Sequence, residues 1–392
     1  MKIVSGTVSA LRLPLVEEFA HALAGRAHSD SLLVEVVADS GVTGFGEGMP
    51  RPYVTGETVD ASIEYVSCVL WPRVQGIPVP VCIDDADGLT ALGAIQEALA
   101  GCGPLDGQPV IAWNAARCAV ELALVDGFLK ANSLSLGRLL PPVRDHVVYC
   151  GVMPTGSIDL AERHARIAKL MGARHLKIKV GAADIDVDRR RLAAVRHVVG
   201  RDVALTVDAN ASYTVDEAVR ALREFEPFGI GGAEQPIPRS DPRDLAAVRG
   251  QSAIPIIVDE SLVTLEDART LIHAGACDVF SIRVSKCGGI VPSMEIAHLA
   301  EEHDIGVKVG CHVGESALLS AAGRHLAAHL PSVASVEGSF GTLMLEEDIA
   351  EQPIHFGHGG RAPLLRRPGL GVDVVSSAVE RHASCRVRLG LP

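Results

Sequence analysis

Aromatic side chains are scarce in this chain, at 4% of 392 residues, although 48% of the residues are hydrophobic. Its core must therefore be built from aliphatic side chains. No apolar run reaches the roughly 20 residues that a membrane-spanning helix needs, and the start, Met1-Lys-Ile-Val-Ser-Gly-Thr-Val, has no apolar stretch of the signal-peptide kind. No membrane partner and a cytoplasmic location are the expectations. Positive charge is in deficit: 36 Lys and Arg stand against 48 Asp and Glu, a net charge of −12. That balance disfavours a nucleic-acid surface. The nine cysteines are odd in number, scattered, and lack a Cys-x-x-Cys pair, which excludes a disulfide framework and a zinc ribbon. What remains is a globular chain long enough for one barrel and a smaller domain.

The positive signal lies between residues 175 and 286, where single charged residues stand at the ends of short Val- and Ile-rich runs. His175-Leu-Lys177-Ile-Lys179 ends in lysines, Ala204-Leu-Thr-Val-Asp208-Ala-Asn210 in an aspartate, and Gly231-Gly-Ala-Glu234-Gln-Pro in a glutamate. Ile254-Pro-Ile-Ile-Val-Asp259-Glu260-Ser and Asp278-Val-Phe-Ser-Ile-Arg-Val-Ser-Lys286-Cys-Gly-Gly follow. Each run precedes a longer stretch of helical periodicity, so the segment reads as consecutive βα units of a (β/α) TIM-type barrel, an α/β fold. In such a barrel all strands end on one face, and that face carries the chemistry.

Asp208, Glu234 and Asp259 would then converge from three successive strands, with Lys179 on one flank and Lys286 on the other. Three partly buried carboxylates need a cation to offset their repulsion, and oxygen ligands favour Mg²⁺ over zinc, with Mn²⁺ as a substitute. Two lysines flanking a metal are the parts needed to remove a proton from one face of a carbon acid and return one to either face. A lysine pair two residues apart shares one side of its strand. Barrel strands are buried on both sides, so Lys177 and Lys179 require a charged site.

Lys-x-Lys, Asp-x-Asn, Glu-Gln-Pro, Asp-Glu-Ser and Lys-x-Gly-Gly, in this order and spacing, resemble the muconate-lactonizing subgroup of the enolase superfamily, over about residues 1 to 373. The resemblance implies metal-assisted abstraction of the proton α to a carboxylate. It makes Asp208, Glu234 and Asp259 the metal ligands, Lys179 and Lys286 the acid/base pair, and Lys177 the neighbour that polarises the carboxylate. Asn210 and Glu260, within the same motifs, are expected to support the ligands from behind.

Outside the barrel, residues 1–130 read as an α+β capping domain, 131–360 as the barrel, and 361–392 as a segment returning to the cap. Ile3 to Leu13, Ser31 to Ala38 and a run after Gly41 alternate as strands, followed by helices near Val59–Leu70, Ile83–Ala100 and Ala112–Asn132. By resemblance, loops at Pro14–Ser29 and Gly48–Glu57 close over the substrate, which makes Phe19, His21 and Tyr53 candidate contacts, with Arg51 also able to reach a ligand. The barrel is expected to begin at His146–Met153, with its seventh strand at Gly306–His312 and its eighth at Ser332–Glu337. Gly288-Gly289 should let the backbone approach a ligand. After Gly369–Asp373 only a short tail is expected.

The late strands depart from the resembled pattern. After Cys311, His312-Val-Gly-Glu315-Ser is one residue longer than Met-x-Glu-Ser, so Glu315 is either a substrate contact or a helix N-terminal residue. His312 reads as a pocket wall. Dipeptide epimerases of the subgroup tend to show Asp-x-Asp on the eighth strand, where this chain has Ser335-Val-Glu337, while Glu337-Gly-Ser-Phe-Gly is closer to the muconate cycloisomerases. The expected function is an isomerase of a small-molecule carboxylate, first a racemase or epimerase of an N-acyl amino acid or dipeptide-like substrate. A cycloisomerase, an o-succinylbenzoate-type synthase and an acid dehydratase use the same parts. A non-catalytic carboxylate-binding barrel would not need both lysines, and a Schiff-base aldolase would not need three carboxylates. A homo-oligomer is expected.

Overall fold

The computed structural model describes residues 2–390 apart from 22–23, 77–86, 104, 106–109, 183 and 353, with the backbone alone described at 19–21, 24–25, 87–91 and 342. Three strands open the chain, β1 (Ile3–His21), β2 (Ala24–Ala38) and β3 (Thr43–Gly48). Next come β4 (His146–Val148), β5 (Gly151–Met153), β6 (His175–Lys179), β7 (Ala204–Asp208), β8 (Ile230–Glu234), β9 (Ile256–Val258), β10 (Val279–Ile282) and β11 (Gly306–Val309). The last two are β12 (Arg361–Pro363) and β13 (Ala383–Leu389). Strands β5 to β11 form one parallel sheet in sequence order, and β13-β1-β2-β3 form an antiparallel sheet.

The parallel sheet curls because each strand is followed by a helix that must cover it. Starts of these helices are written in the sequence: Thr214 with Glu217 and Thr264 with Asp267 form capping boxes, and Ser157 accepts the amide of Leu160. Strand β9 is buried along its whole length, as expected where one face meets the barrel interior and the other the helices.

The eighth strand expected at Ser332–Glu337 shrinks to one parallel bridge between Val309 and Val336. Val309 N–H donates to Ser335 O at 3.0 Å, Glu337 N–H to Val309 O at 2.8 Å, and Cys150 N–H to Val336 O at 2.8 Å, which closes the ring onto the start of β5. The ladder stops there because the chain turns away at Gly338, whose φ of 129° suits glycine. His146–Met153, expected as one strand, is two. The Tyr149 amide is taken by Gly360 O at 2.8 Å, so β4 pairs with β12 and only β5 joins the barrel.

In the antiparallel sheet, Gly44, Gly46 and Gly48 alternate along β3. A Cβ at any of them would lie 2.0–2.2 Å from a carbonyl of the Asn114–Ala131 helix (Ala123, Ala119 and Ala115 in turn). Glycine on one face therefore lets that helix lie directly on the strand. Within Pro14–Ser29, expected as a loop, residues 14–21 and 24–29 are the paired far ends of β1 and β2: their pairing slips between Pro14 and Phe19 and resumes with Phe19↔Arg26. A bulge absorbs the polar insertion without ending the strands. The end of the chain is more than a tail, since the Ser376–His382 helix leads into β13, which pairs with β1. Among the described residues, no helix is long and apolar enough to cross a membrane, and the eight described cysteines are free.

Candidate active site

Parallel register brings the charged strand ends together. Lys179 is the Cα partner of Asp208, and Asp208 of Glu234. Asp259 follows β9 directly. Lys286 is displaced from the strand end expected for it: β10 stops at Ile282, and Lys286 lies in the helical turn Val284–Cys287. All of these side chains are buried.

Lys179 Nζ donates to Asp208 Oδ2 and to Asn210 Oδ1, both at 2.6 Å. Asn210 holds that place with a left-handed φ of 44°, its amide donating to Asp208 Oδ1 at 2.9 Å and its side chain to Glu260 Oε1 at 3.1 Å. Lys177 Nζ lies 3.0 Å from Asp208, 3.3 Å from Glu234 and 2.7 Å from Glu337. Lys286 Nζ donates to the carbonyls of Asp259 (2.7 Å) and Ser281 (2.8 Å) and stands 3.0 Å from Asp259 Oδ1.

Electrostatics follow from this interleaving. Burial alone would raise the Asp208 carboxyl, but Lys179 and Lys177 hold it well below the usual carboxylate range. The same contest, won by Lys177 and Lys308, depresses Glu337. Burial opposes the charge of Lys177, yet Glu234, Glu337 and Asp208 outweigh it and push its pKa up. Lys286 goes the other way: burial pulls it down to about 8. Glu260 is raised by burial and by the neighbouring Asp208 charge.

A cavity of about 440 Å³ opens above this cluster. Its floor is Lys177, Lys179, Asn210, Glu260, Arg283 and Glu337. Asp208, Glu234, Asp259 and Lys286 lie beneath that layer. Tyr53 is at the rim, where its hydroxyl accepts from Arg26 Nη2 at 3.1 Å. His312 is a wall residue whose Nδ1 lacks a hydrogen-bond partner, and burial with the charge of Arg283 keeps its pKa well below the usual histidine value. Glu315 does not line the cavity. Its oxygens accept from Ser320 Oγ (2.7 Å) and the His312 amide (3.1 Å) just ahead of the Ala317–His329 helix, and burial raises its pKa to about 8. Arg51, expected to reach a ligand, is buried and donates to Asp30 O and Pro50 O at 2.8 Å. The side chains of Phe19 and His21 lie outside the described residues.

Two cations of this cluster were not singled out in the sequence. Arg283 pairs with Asp259, and Lys308 with both Glu234 and Glu337. For Lys308 the sequence offered only a lysine inside Gly306-Val-Lys-Val; with that strand buried, it needs a carboxylate just as Lys177 does. Gly288 and Gly289 make room for the cap rather than for a ligand. A Cβ on Gly289 would meet Glu121 Oε2 at 1.9 Å, and one on Gly288 would stand 3.1 Å from Asn114 Oδ1. Glu121 accepts the amides of Ile290 and Val291, while Asn114 donates to Lys286 O at 2.7 Å. The cap therefore fixes the backbone of the lysine turn.

Residues 159–378 match the family described as "Enolase C-terminal domain-like". The L-Ala-D/L-Glu epimerase of Bacillus subtilis is 30% identical over 374 residues, covering 95% of this chain and 97% of that protein. The crystal structure of N-succinyl Arg/Lys racemase from Bacillus cereus superposes with a TM-score of 0.87 at 26% identity, covering 99% of this chain and all of that one. A dipeptide epimerase of Enterococcus faecalis, solved with Mg and the dipeptide L-Leu-L-Tyr, gives a TM-score of 0.83 at 28% identity over 95% of this chain and all of that one. Muconate cycloisomerases are also among the relatives. With a family model matching more than half of the chain and a relative 30% identical over 95% of it, the chain belongs to the enolase C-terminal domain-like family and is an enolase-superfamily isomerase.

Proposed function

We propose that this site abstracts the proton α to a carboxylate and returns one, as a racemase or epimerase of an N-acyl amino acid or dipeptide-like substrate, with Mg²⁺ as its cofactor. The observation that carries the reading is the placement of two buried lysines: Lys179 follows from β6 and Lys286 from β10, with the carboxylate strands β7, β8 and β9 between them.

The donor set suits a hard divalent cation. Asp208, Glu234 and Asp259 offer oxygen alone, and Asp259 Oδ1 is buried without a hydrogen bond. In this structure their oxygens are shared with Lys177, Lys179, Lys308, Arg283 and Lys286, and no three acidic, His or Cys side chains among the described residues stand at metal-binding spacing. Binding an ion there requires these ammonium and guanidinium groups to yield carboxylate oxygens. A bound divalent ion supplies charge stabilisation to the carboxylate as the α-proton leaves.

For the chain's own part, one lysine, unprotonated, takes the α-proton onto Nζ, and the electron pair of the C–H bond moves into the carboxylate as an enolate. The opposite lysine, as ammonium, donates its proton to the other face of the same carbon, which inverts the centre. Lys286, whose Nζ is held behind the cavity floor by the carbonyls of Asp259 and Ser281, has to leave them to reach the carbon, and a pKa near 8 suits it to either role there. Lys177 and Arg283, on the cavity floor, offset the charge that develops.

A muconate-type cycloisomerase is the second reading, favoured by Glu337-Gly-Ser-Phe-Gly. Mass-spectrometric exchange of the α-proton in D₂O with Mg²⁺, over N-acyl amino acids, dipeptides and muconates, separates the two. For a racemase, Lys179→Ala abolishes exchange from one enantiomer and retains it from the other, and Lys286→Ala does the reverse. Full exchange of both enantiomers by both variants would sink the two-lysine mechanism.

A further inference from the structure

Resting on the proton-abstraction reading, we infer that the substrate carries no positive charge, and that Lys308 excludes one by acting as the site's own ammonium group. Two carboxylates line the cavity among the described residues, Glu260 and Glu337. Glu337 is nearly fully buried, with Lys308 on Oε1 and Lys177 on Oε2 at 2.7 Å. Both of its oxygens are thus committed to ammonium groups of this chain. Glu260 shares Asn210 with Lys179, so it faces the reacting end, where a substrate presents its α-carbon and carboxylate. A ligand ammonium would find Lys177, Lys179 and Arg283 on the same floor and no uncommitted carboxylate away from the reacting lysine.

The rest of the wall has the opposite character. Val152, Met153, Ile167, Met171, Leu343 and Phe356 line it. Ile167, Met171 and Leu343 are 52%, 50% and 65% exposed at the mouth, an apolar rim that only an apolar group would cover. A distal acyl or alkyl group fits this wall. A cation placed against it would lose its water without gaining a partner.

The deciding pair of substrates is N-isobutanoyl-L-leucine and L-alanyl-L-leucine, which differ by a methyl group where the dipeptide has its ammonium. α-Proton exchange in D₂O with Mg²⁺ should favour the isobutanoyl compound by about 100-fold or more in kcat/KM, the scale of an unpaired charge in a dry site. Lys308→Met frees Oε1 of Glu337, Lys177 remaining on Oε2, and should move the ratio by at least about tenfold toward the dipeptide. Because that change also deprives Glu234 of a partner, Ile167→Glu, at an exposed rim position, serves as the second variant. It should raise KM for the isobutanoyl compound about tenfold and narrow the ratio. Equal exchange of both compounds by the wild type, or a ratio unchanged in Ile167→Glu, overturns the inference and leaves proton abstraction standing. Failure of every N-acyl amino acid, dipeptide and muconate to exchange is instead the failure of the reading beneath it.

Discussion

Buried carboxylates occur in both halves of this molecule, and those held at helix starts are treated in the opposite way to those set among the barrel's lysines. In the cap, Glu47, Glu57 and Glu121 are held by N–H groups at helix starts. Glu47 accepts the Ser316 amide at 3.1 Å, Glu57 the amides of Ala115 and Ala116 at 2.9 and 3.0 Å, and Glu121 those of Ile290 and Val291. Burial wins there, raising Glu47 and Glu121 to about 7. In the barrel, Asp208 and Glu337 are as deeply buried, yet lysines hold them well below the usual range. A helix terminus offers partial charge, whereas a lysine offers a full one. Glu47 and Glu121 dock the cap on the barrel and Glu57 fixes a helix within the cap, while the lysines of the barrel keep Asp208 and Glu337 ionised for a site.

The comparison is broken most forcefully by removing a barrel cation. Lys177→Met leaves Glu234, Glu337 and Asp208 short of a buried partner and should lower stability by about 3–5 kcal/mol. Urea unfolding of variant and wild type measures it, and a loss below about 1 kcal/mol would mean that the cluster reorganises at little cost.

pH separates the two sets next. Glu47 and Glu121 have folded-state pKa values raised from 4.5 to about 7. The folded state therefore binds more protons between those values, and their contribution is full below pH 4.5 and lost as pH rises through 7. The scale is on the order of 3 kcal/mol per group. Asp208 and Glu337, being depressed, contribute above the unfolded carboxylate range and lose that contribution as pH falls below about 4. Stability should thus fall from pH 5 to pH 7.5, and the doubly substituted Glu47→Gln/Glu121→Gln chain should be flatter over that interval in thermal melts. An equally steep decline in the double variant would assign the slope to other groups.

The smallest effect tests the cap alone. Glu57→Gln keeps one acceptor for the start of the Asn114–Ala131 helix and should cost about 1 kcal/mol, read as a shift of the urea midpoint, with α-proton exchange unaltered. A large loss of exchange would show that this helix start governs the lysine turn through Asn114.

Much of the barrel was legible because its strands repeat one pattern, an aliphatic run ending in a charge, and burial on both faces leaves such a charge few explanations. Lys177, Lys179, Asp208 and Glu234 come together for that reason. Lys308 stayed hidden because its partner Glu234 is 74 residues away, and alternation in Val-Lys-Val reads equally as a half-exposed strand. Arg283 was masked by the stronger Lys-x-Gly-Gly signal beside it. The glycine pair was assigned to a ligand because local sequence shows that space is needed but not what fills it, here the Glu121 carboxylate from the cap. The Pro14–Ser29 stretch read as a loop because polar residues and a proline conceal two strand ends whose pairing only slips by a bulge.

The pairing of β13 with β1 has a consequence for synthesis. Gly6 meets Leu389 and Leu11 meets Ala383, so one edge of β1 waits until Ala383–Leu389 have been translated. At 5–20 residues per second that delay is roughly 20 to 80 seconds. Throughout it the nascent chain presents unpaired backbone along Gly6–Leu11, the kind of edge on which chains join one another. A ribosome stalled before Ala383 would hold a barrel ready to close beneath a cap that still lacks its border.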